Sequence, residues 1–160
     1  MNLMVDVQTV SIAVVSVGVI AGIIYYAFQV RHQTKIRQAD LIMRLHSQAC
    51  SKEFLEAYQR VLNMQFNDYD DFVEKYGSPT AEGPEQTAVL MIAMFMEGIG
   101  VLLHKKCVDI ETIEELFPVE RSWKKLEPIL IATRRQSGDP AIWEWFEYHY
   151  NEAREIKQQQ

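Results

Sequence analysis

The stretch VSIAVVSVGVIAGIIYYAF, residues 10–28, decides the fold of the N-terminal part of this chain. It carries no charge over nineteen residues, and as a helix it is about 28 Å long, close to the thickness of the hydrocarbon core of a bilayer. Inside hydrocarbon a single segment satisfies its backbone hydrogen bonds only as a helix. The sequence therefore predicts one transmembrane helix over about residues 8–28, with Tyr25 and Tyr26 at one interface with the headgroups.

The flanks of this stretch indicate an uncleaved anchor and set its expected orientation. A secretory signal peptide begins with basic residues and ends at a small-residue cleavage site, whereas residues 1–8 hold one acid and no base. The basic residues near the span all follow it: Arg31, Lys35, Arg37 and Arg44. The positive-inside bias predicts a single-pass protein of the cell membrane, with residues 1–30 as an outer N-terminal tail and the span, and residues 31–157 as a cytoplasmic domain.

The composition of the predicted domain excludes one class of partner. Residues 31–160 contain all sixteen Lys and Arg residues and twenty-one of the twenty-two Asp and Glu residues. Nucleic-acid binding depends on neutralising phosphates, so an acidic domain of this kind is not expected to bind nucleic acid. The two cysteines are expected to be free thiols in the cytoplasm.

The start and stop signals in residues 31–160 are those of helices throughout. They predict an all-α fold, a helical bundle that follows the span. Apolar residues recur at helical spacing, and no alternating run of strand length is bounded by turn residues. We expect the first helix to continue to about Ala49, and Pro128 to kink or split a later helix. The other expected helices have these signals: a Ser51 cap, 69–76 ended by Gly77, 84–105 opened by Pro84, 109–117 capped by Asp109, 119–136 closed by Gly138, and a last helix opened by Asp139-Pro140.

The helix predicted over residues 84–105 is apolar nearly all round, and a second membrane span is the rival interpretation. It carries Glu97 in its interior, and a carboxylate at the centre of a span is costly. We therefore expect the central buried helix of the bundle. Glu97 itself is predicted to be a buried acid paired with an arginine such as Arg134 or Arg135; the alternative is a proton-accepting or ligand-binding acid.

Two pairs of possible metal ligands also stand out. His46 and Cys50 are four residues apart, His104 and Cys107 are three apart, and each spacing puts both side chains on one helix face. Two such faces can offer two nitrogens and two sulfurs to zinc. Nothing in the sequence brings the two helices together at these turns, so cysteines that are simply small core residues are the competing explanation.

Several short segments resemble one protein family. The segments that carry the likeness are Phe95-Met-Glu-Gly-Ile-Gly-Val-Leu-Leu, Cys107-Val-Asp-Ile, Leu116-Phe, Trp123 to Pro128, Arg134 or Arg135, and Trp145-Phe-Glu-Tyr. In these the chain is similar to the uncharacterised "domain of unknown function 4760" family, over about residues 30–152 together with the N-terminal span. The resemblance implies a membrane-tethered all-helical domain, and it supplies no activity, substrate, cofactor or catalytic residue.

The sequence predicts a non-catalytic domain that acts through protein contacts as an adaptor, scaffold or sensory module. Phosphate-binding loops, nucleophile elbows and the Glu-x-x-His pairs of di-iron bundles are absent from the sequence. The alternative is a metal- or small-ligand-binding domain, with or without enzymatic activity, that uses Glu97 or the two His/Cys pairs. Expected partners are the lipid bilayer and either another protein or a second copy, because Ser11, Gly18 and Gly22 lie on one face of the span and small residues let helices approach closely.

Overall fold

The computed structural model describes residues 7–159, and every regular element in that range is an α-helix. The helices are α1 (Val7–Ala49), α2 (Lys52–Asn63), α3 (Tyr69–Tyr76), α4 (Pro84–His104), α5 (Ile110–Leu116), α6 (Glu120–Ser137) and α7 (Glu144–Gln159). The predicted all-α class is thus confirmed. The chain divides into two compact units after Leu41, and residues 1–6, which form most of the predicted outer tail, lie outside the described residues.

The first unit is the greater part of α1. Its large apolar side chains from Val10 to Val30 are between 42% and 69% exposed, on all sides of the helix. By length and composition α1 is able to cross a membrane, and none of its apolar window is buried. An apolar surface of this extent is typical of a lipid or protein contact.

The second unit is a bundle built around α4. This helix also passes the length and composition test for a span, but half of its apolar window is buried, as expected for a core helix. It packs mainly against α7 and α2, while α7 also contacts α5 and α6. The largest fully buried apolar side chains are Trp123, Phe72, Phe146, Ile92, Ile99, Ile113, Leu126, Ile129 and Leu130.

Most helix boundaries follow the local signals in the sequence. Ser51 accepts a hydrogen bond from the Phe54 N–H, and Asp109 accepts one from the Thr112 N–H, so both act as N-caps. Gly77 ends α3 with φ of 90°, in the region that glycine adopts without steric cost. The helix α1 ends at Ala49, as predicted.

Two local predictions differ from the structure. First, of the two expected effects of Pro128 the split does not occur: α6 continues through this residue, because Ile129 and Leu130 are buried immediately beyond it and outweigh the loss of one backbone hydrogen bond. Second, Asp139 does not open α7. Its carboxylate accepts a hydrogen bond from the Ala141 N–H in a local turn, and α7 begins only at Glu144.

Candidate functional site

The start of α7 is held by a side chain from the middle of α4. The first backbone N–H groups of any helix have no partner within that helix. Here the Glu97 carboxylate accepts a hydrogen bond of 2.7 Å from the Phe146 N–H. Glu97 therefore acts as an N-cap for α7, across 49 residues of sequence.

The surroundings of Glu97 contain groups that raise the pKa of its carboxyl and groups that lower it. Partial burial raises the pKa of the Glu97 carboxyl above its ordinary value, and the nearby charge of Glu144 acts in the same sense. The backbone N–H groups of Phe146 and Trp145 and the charge of Arg134 oppose this shift without cancelling it. A carboxylate this close to a helix N-terminus is also favoured by the helix dipole.

The predicted ion pair between Glu97 and an arginine is not formed. The Arg134 guanidinium binds Glu147 at 2.6 Å and the Ile142 carbonyl at 2.8 Å, so it ties α6 to the segment that leads into α7. Arg135 is exposed. Glu97 is half-buried and hydrogen-bonded to the backbone of α7. Its role is therefore structural, as expected, but its partner is a backbone N–H group and not an arginine.

Gly100 lies about one turn beyond Glu97, at a point where α4 and α7 are in close contact. A Cβ atom built on Gly100 would overlap the carbonyl of Trp145 and would lie 2.9 Å from the Trp145 Cβ. Only a residue without a side chain fits this contact. Together, the carboxylate of Glu97 and the missing side chain of Gly100 fix the position of α7 on α4.

The two His/Cys pairs do not assemble into a metal site. His46 and Cys50 are close, with the Cys50 Sγ 3.7 Å from either ring nitrogen of His46. The His104 ring instead lies against Trp145, at 4.2 Å between centroids, and the Cys107 Sγ lies 3.9 Å from the Lys105 carbonyl. Within residues 7–159, no three His, Cys, Asp or Glu side chains are grouped closely enough to hold a metal ion. The four-ligand arrangement that the sequence offered as a possibility is therefore not present among the described residues.

A buried polar cluster between α5 and α7 was not foreseen. His149 is fully buried, and its Nε2 lies 3.3 Å from the Glu114 carboxylate, which also accepts a hydrogen bond from the Val119 N–H. Lys157 reaches the same carboxylate at 3.6 Å. Burial alone would raise the pKa of Glu114, but the imidazole and the Val119 N–H outweigh it and lower the pKa. The sequence signal was weak: a histidine three residues after Phe146, with no local hint of its partner.

An unpartnered apolar surface of the second unit lies on α4. We call it the α4 strip and define it by Thr87, Leu90, Met91, Met94, Gly98 and Val101, which follow one face of the helix for four turns. Leu90 is 49% exposed and Met94 is 61% exposed. A groove of about 600 Å³ separates the strip from Leu45 and Gln48 at the end of α1.

Gly98 forms a notch in the strip. A Cβ atom built on this glycine meets nothing within 4 Å, in contrast to Gly100 two residues later. Between Gln86 and Leu103 the only charged residue of α4 is Glu97, whose carboxylate is occupied by α7. The strip is therefore apolar, uncharged and irregular enough to accept a side chain from another surface.

One comparison with known proteins gave a match. The model of the family Domain of unknown function (DUF4760) matches residues 13–153, a range that includes most of α1 and nearly all of the bundle. No curated protein and no solved structure matched the chain.

Proposed function

The chain belongs to the family Domain of unknown function (DUF4760), whose name assigns no activity, so we propose a function from the site itself. We propose that the protein is a membrane-tethered, non-catalytic interaction module. α1 serves as a single-pass anchor in the cell membrane, and the helical bundle is its cytoplasmic domain. The bundle works through contacts made by the α4 strip, as an adaptor, scaffold or sensory domain.

The observation that carries this proposal is the uncharged apolar surface on the central helix of the bundle. Large apolar side chains on a protein surface are the usual anchors of protein contacts when they form a continuous patch. Methionines such as Met91 and Met94 suit this role, because their flexible side chains adapt to a partner. The conspicuous polar groups of the bundle, Glu97, Arg134 and Glu114, are each engaged by neighbouring groups.

The orientation of the anchor is proposed from charge. The basic residues Arg31, Lys35 and Arg37 follow the apolar stretch, and no basic residue precedes it. Such an asymmetry favours retention of the basic side in the cytoplasm. The same three side chains are available to the headgroups of anionic lipids.

Two measurements test the anchor. The full chain should stay in the membrane pellet after alkaline carbonate extraction. In intact cells, a cysteine in place of Asn2 should react with an impermeant maleimide and Cys107 should not. Release by carbonate would refute the anchor, and labelling of Cys107 alone would reverse its orientation.

A photo-crosslinking experiment tests the interaction surface. A photoreactive amino acid in place of Leu90, in the full chain in its membrane, should give discrete adducts with protein. The same group in place of the exposed Glu127 on α6 is the matched control and should give none. Equal adduct yields at the two positions would remove the α4 strip as the contact surface.

A further inference from the structure

We infer that the occupant of the α4 strip is the α4 strip of a second copy of this chain. The inference deepens the proposed function and rests on it, because it requires that copies share one membrane. Two faces that pair about a two-fold axis must be complementary to themselves. The shape, charge and size of the strip all bear on that requirement.

The shape of the strip is self-complementary. Met94 is the most exposed large apolar side chain of α4, and the Gly98 notch lies one helical turn away on the same face. When two such helices pack antiparallel, with the two-fold axis midway between these two residues, Met94 of each copy faces Gly98 of the other. A projecting side chain and a notch one turn apart provide both halves of the contact on a single helix.

The charge of the bundle favours contact at this face over contact elsewhere. Residues 42–160 contain thirteen Lys and Arg residues and twenty Asp and Glu residues, so two copies carry like net charge. The α4 strip itself has no charged side chain. Two copies can therefore approach through the strip without placing like charges directly opposite each other, which would cost stability.

The size of the strip indicates why the membrane is needed. Complexes between freely diffusing proteins bury at least about 1,200 Å² in total. Two faces of four helical turns bury considerably less than this. Confinement of both copies to one bilayer raises their effective concentration and makes a small contact sufficient.

Cysteine cross-linking in membranes that contain the full chain tests the second copy directly. In a background in which Cys50 and Cys107 are changed to serine, Met94→Cys should give a dimer with a short bismaleimide. The yield should be at least five times that of Glu127→Cys, the control on exposed α6. Co-expression of two differently tagged copies should show both tags in the adduct.

Two further variants separate contact from folding. Gly98→Leu, combined with Met94→Cys, fills the notch and should reduce the dimer yield at least five-fold. Because nothing lies within 4 Å of the new Cβ, its melting temperature should equal or exceed that of the parent. Leu90→Glu in the same background places like charges in the contact and should reduce the yield by a similar factor.

A dimer yield for Met94→Cys no greater than for Glu127→Cys would overturn the inference. An adduct with a protein of different mass would also overturn it, and would leave the strip as the surface for a different partner. Carbonate extraction of the same membranes keeps the two failures apart. A chain released by carbonate refutes the anchor, whereas a retained chain without preferential cross-linking at position 94 refutes the second copy alone.

Discussion

The contact between α4 and α7 makes Gly100→Ala and Gly98→Ala a matched pair with opposite expected effects. Both changes add one methyl group to the same helix, two residues apart. In an exposed helical position, alanine in place of glycine stabilises by about 1 kcal/mol. Gly98 is such a position, with nothing within 4 Å of the new atom.

At Gly100 the added methyl group collides with the backbone of α7. Its Cβ would lie 2.9 Å from the Trp145 Cβ, where carbon atoms at rest are about 3.5–4.0 Å apart, and it would overlap the Trp145 carbonyl. Overpacking of this kind costs about 1–3 kcal/mol. The displaced α7 also lengthens the 2.7 Å bond from Phe146 to Glu97, and loss of a cap costs about 0.5–2 kcal/mol. After the gain of about 1 kcal/mol in helix propensity is subtracted, the net loss is about 0.5–4 kcal/mol, with a central value of about 2 kcal/mol.

The assay is thermal and urea unfolding of the full chain in detergent, followed by tryptophan fluorescence, with one copy per micelle. Gly100→Ala should lower the melting temperature by about 6–10 °C, while Gly98→Ala should leave it unchanged or raise it by a few degrees. If Gly100→Ala melts within about 1 °C of wild type, α4 and α7 do not approach as described. If both variants lose stability equally, the cause is the loss of glycine and not the contact with Trp145.

Three further predictions concern Glu97, Glu114 and the span. Glu97→Ala should lose about 1–2 kcal/mol of unfolding free energy with the cap, whereas Glu97→Gln keeps an acceptor oxygen and should stay within about 1 kcal/mol of wild type at pH 7. Because the pKa of Glu97 is raised, wild type should gain stability relative to Glu97→Gln as the pH falls through that pKa. If urea titrations show no such gain, the Glu97 carboxylate is not destabilised by burial. Glu114→Gln should cost about 1–3 kcal/mol at pH 7. Because the pKa of Glu114 is lowered, this advantage of wild type should be constant above pH 4.5 and vanish as the pH falls through the lowered pKa; a pH-independent difference would contradict it. In a membrane two-hybrid assay, Gly18→Ile and Gly22→Ile should each weaken self-association and Ala13→Ile should not, while equal signals from all three would mean that the glycines make no contact.

Local sequence signals predicted most of the fold. The end of α1 at Ala49, the caps Ser51 and Asp109 and the terminating Gly77 depend on residues within one turn of each boundary. Such signals act on the backbone beside them, so they can be recognised without knowledge of the tertiary structure. The burial of α4 was also predictable, since Glu97 disfavours a span.

The start of α7 was not predictable for a physical reason. Asp139-Pro140 is a sound local start signal, yet the helix begins at Glu144, after Trp143 adopts a φ of 63°. The cap that decides this boundary, Glu97, is on another helix.

The partners of Arg134 and Glu114 were missed for the same reason. Arg134 binds Glu147 on α7, and Glu114 contacts His149 on α7. Both pairings are set by tertiary packing, so the spacing of residues along the chain does not indicate them. The α4 strip was likewise invisible, because helical periodicity alone does not say which face of an apolar helix a fold leaves uncovered.

The separation of α4 from α7 along the chain has a consequence for biosynthesis. A ribosome adds roughly 5–20 residues per second, so α4 is complete for roughly two to eight seconds before the first turn of α7 has been made. During that interval α4 is an apolar helix long enough to cross a bilayer, in a chain whose first helix is itself a candidate span. A carboxylate in its interior makes membrane insertion less favourable by about 2.5–3.5 kcal/mol. Glu97 thus disfavours insertion of the nascent helix into the bilayer. The same side chain later caps the N-terminus of α7, once the rest of the chain has been made.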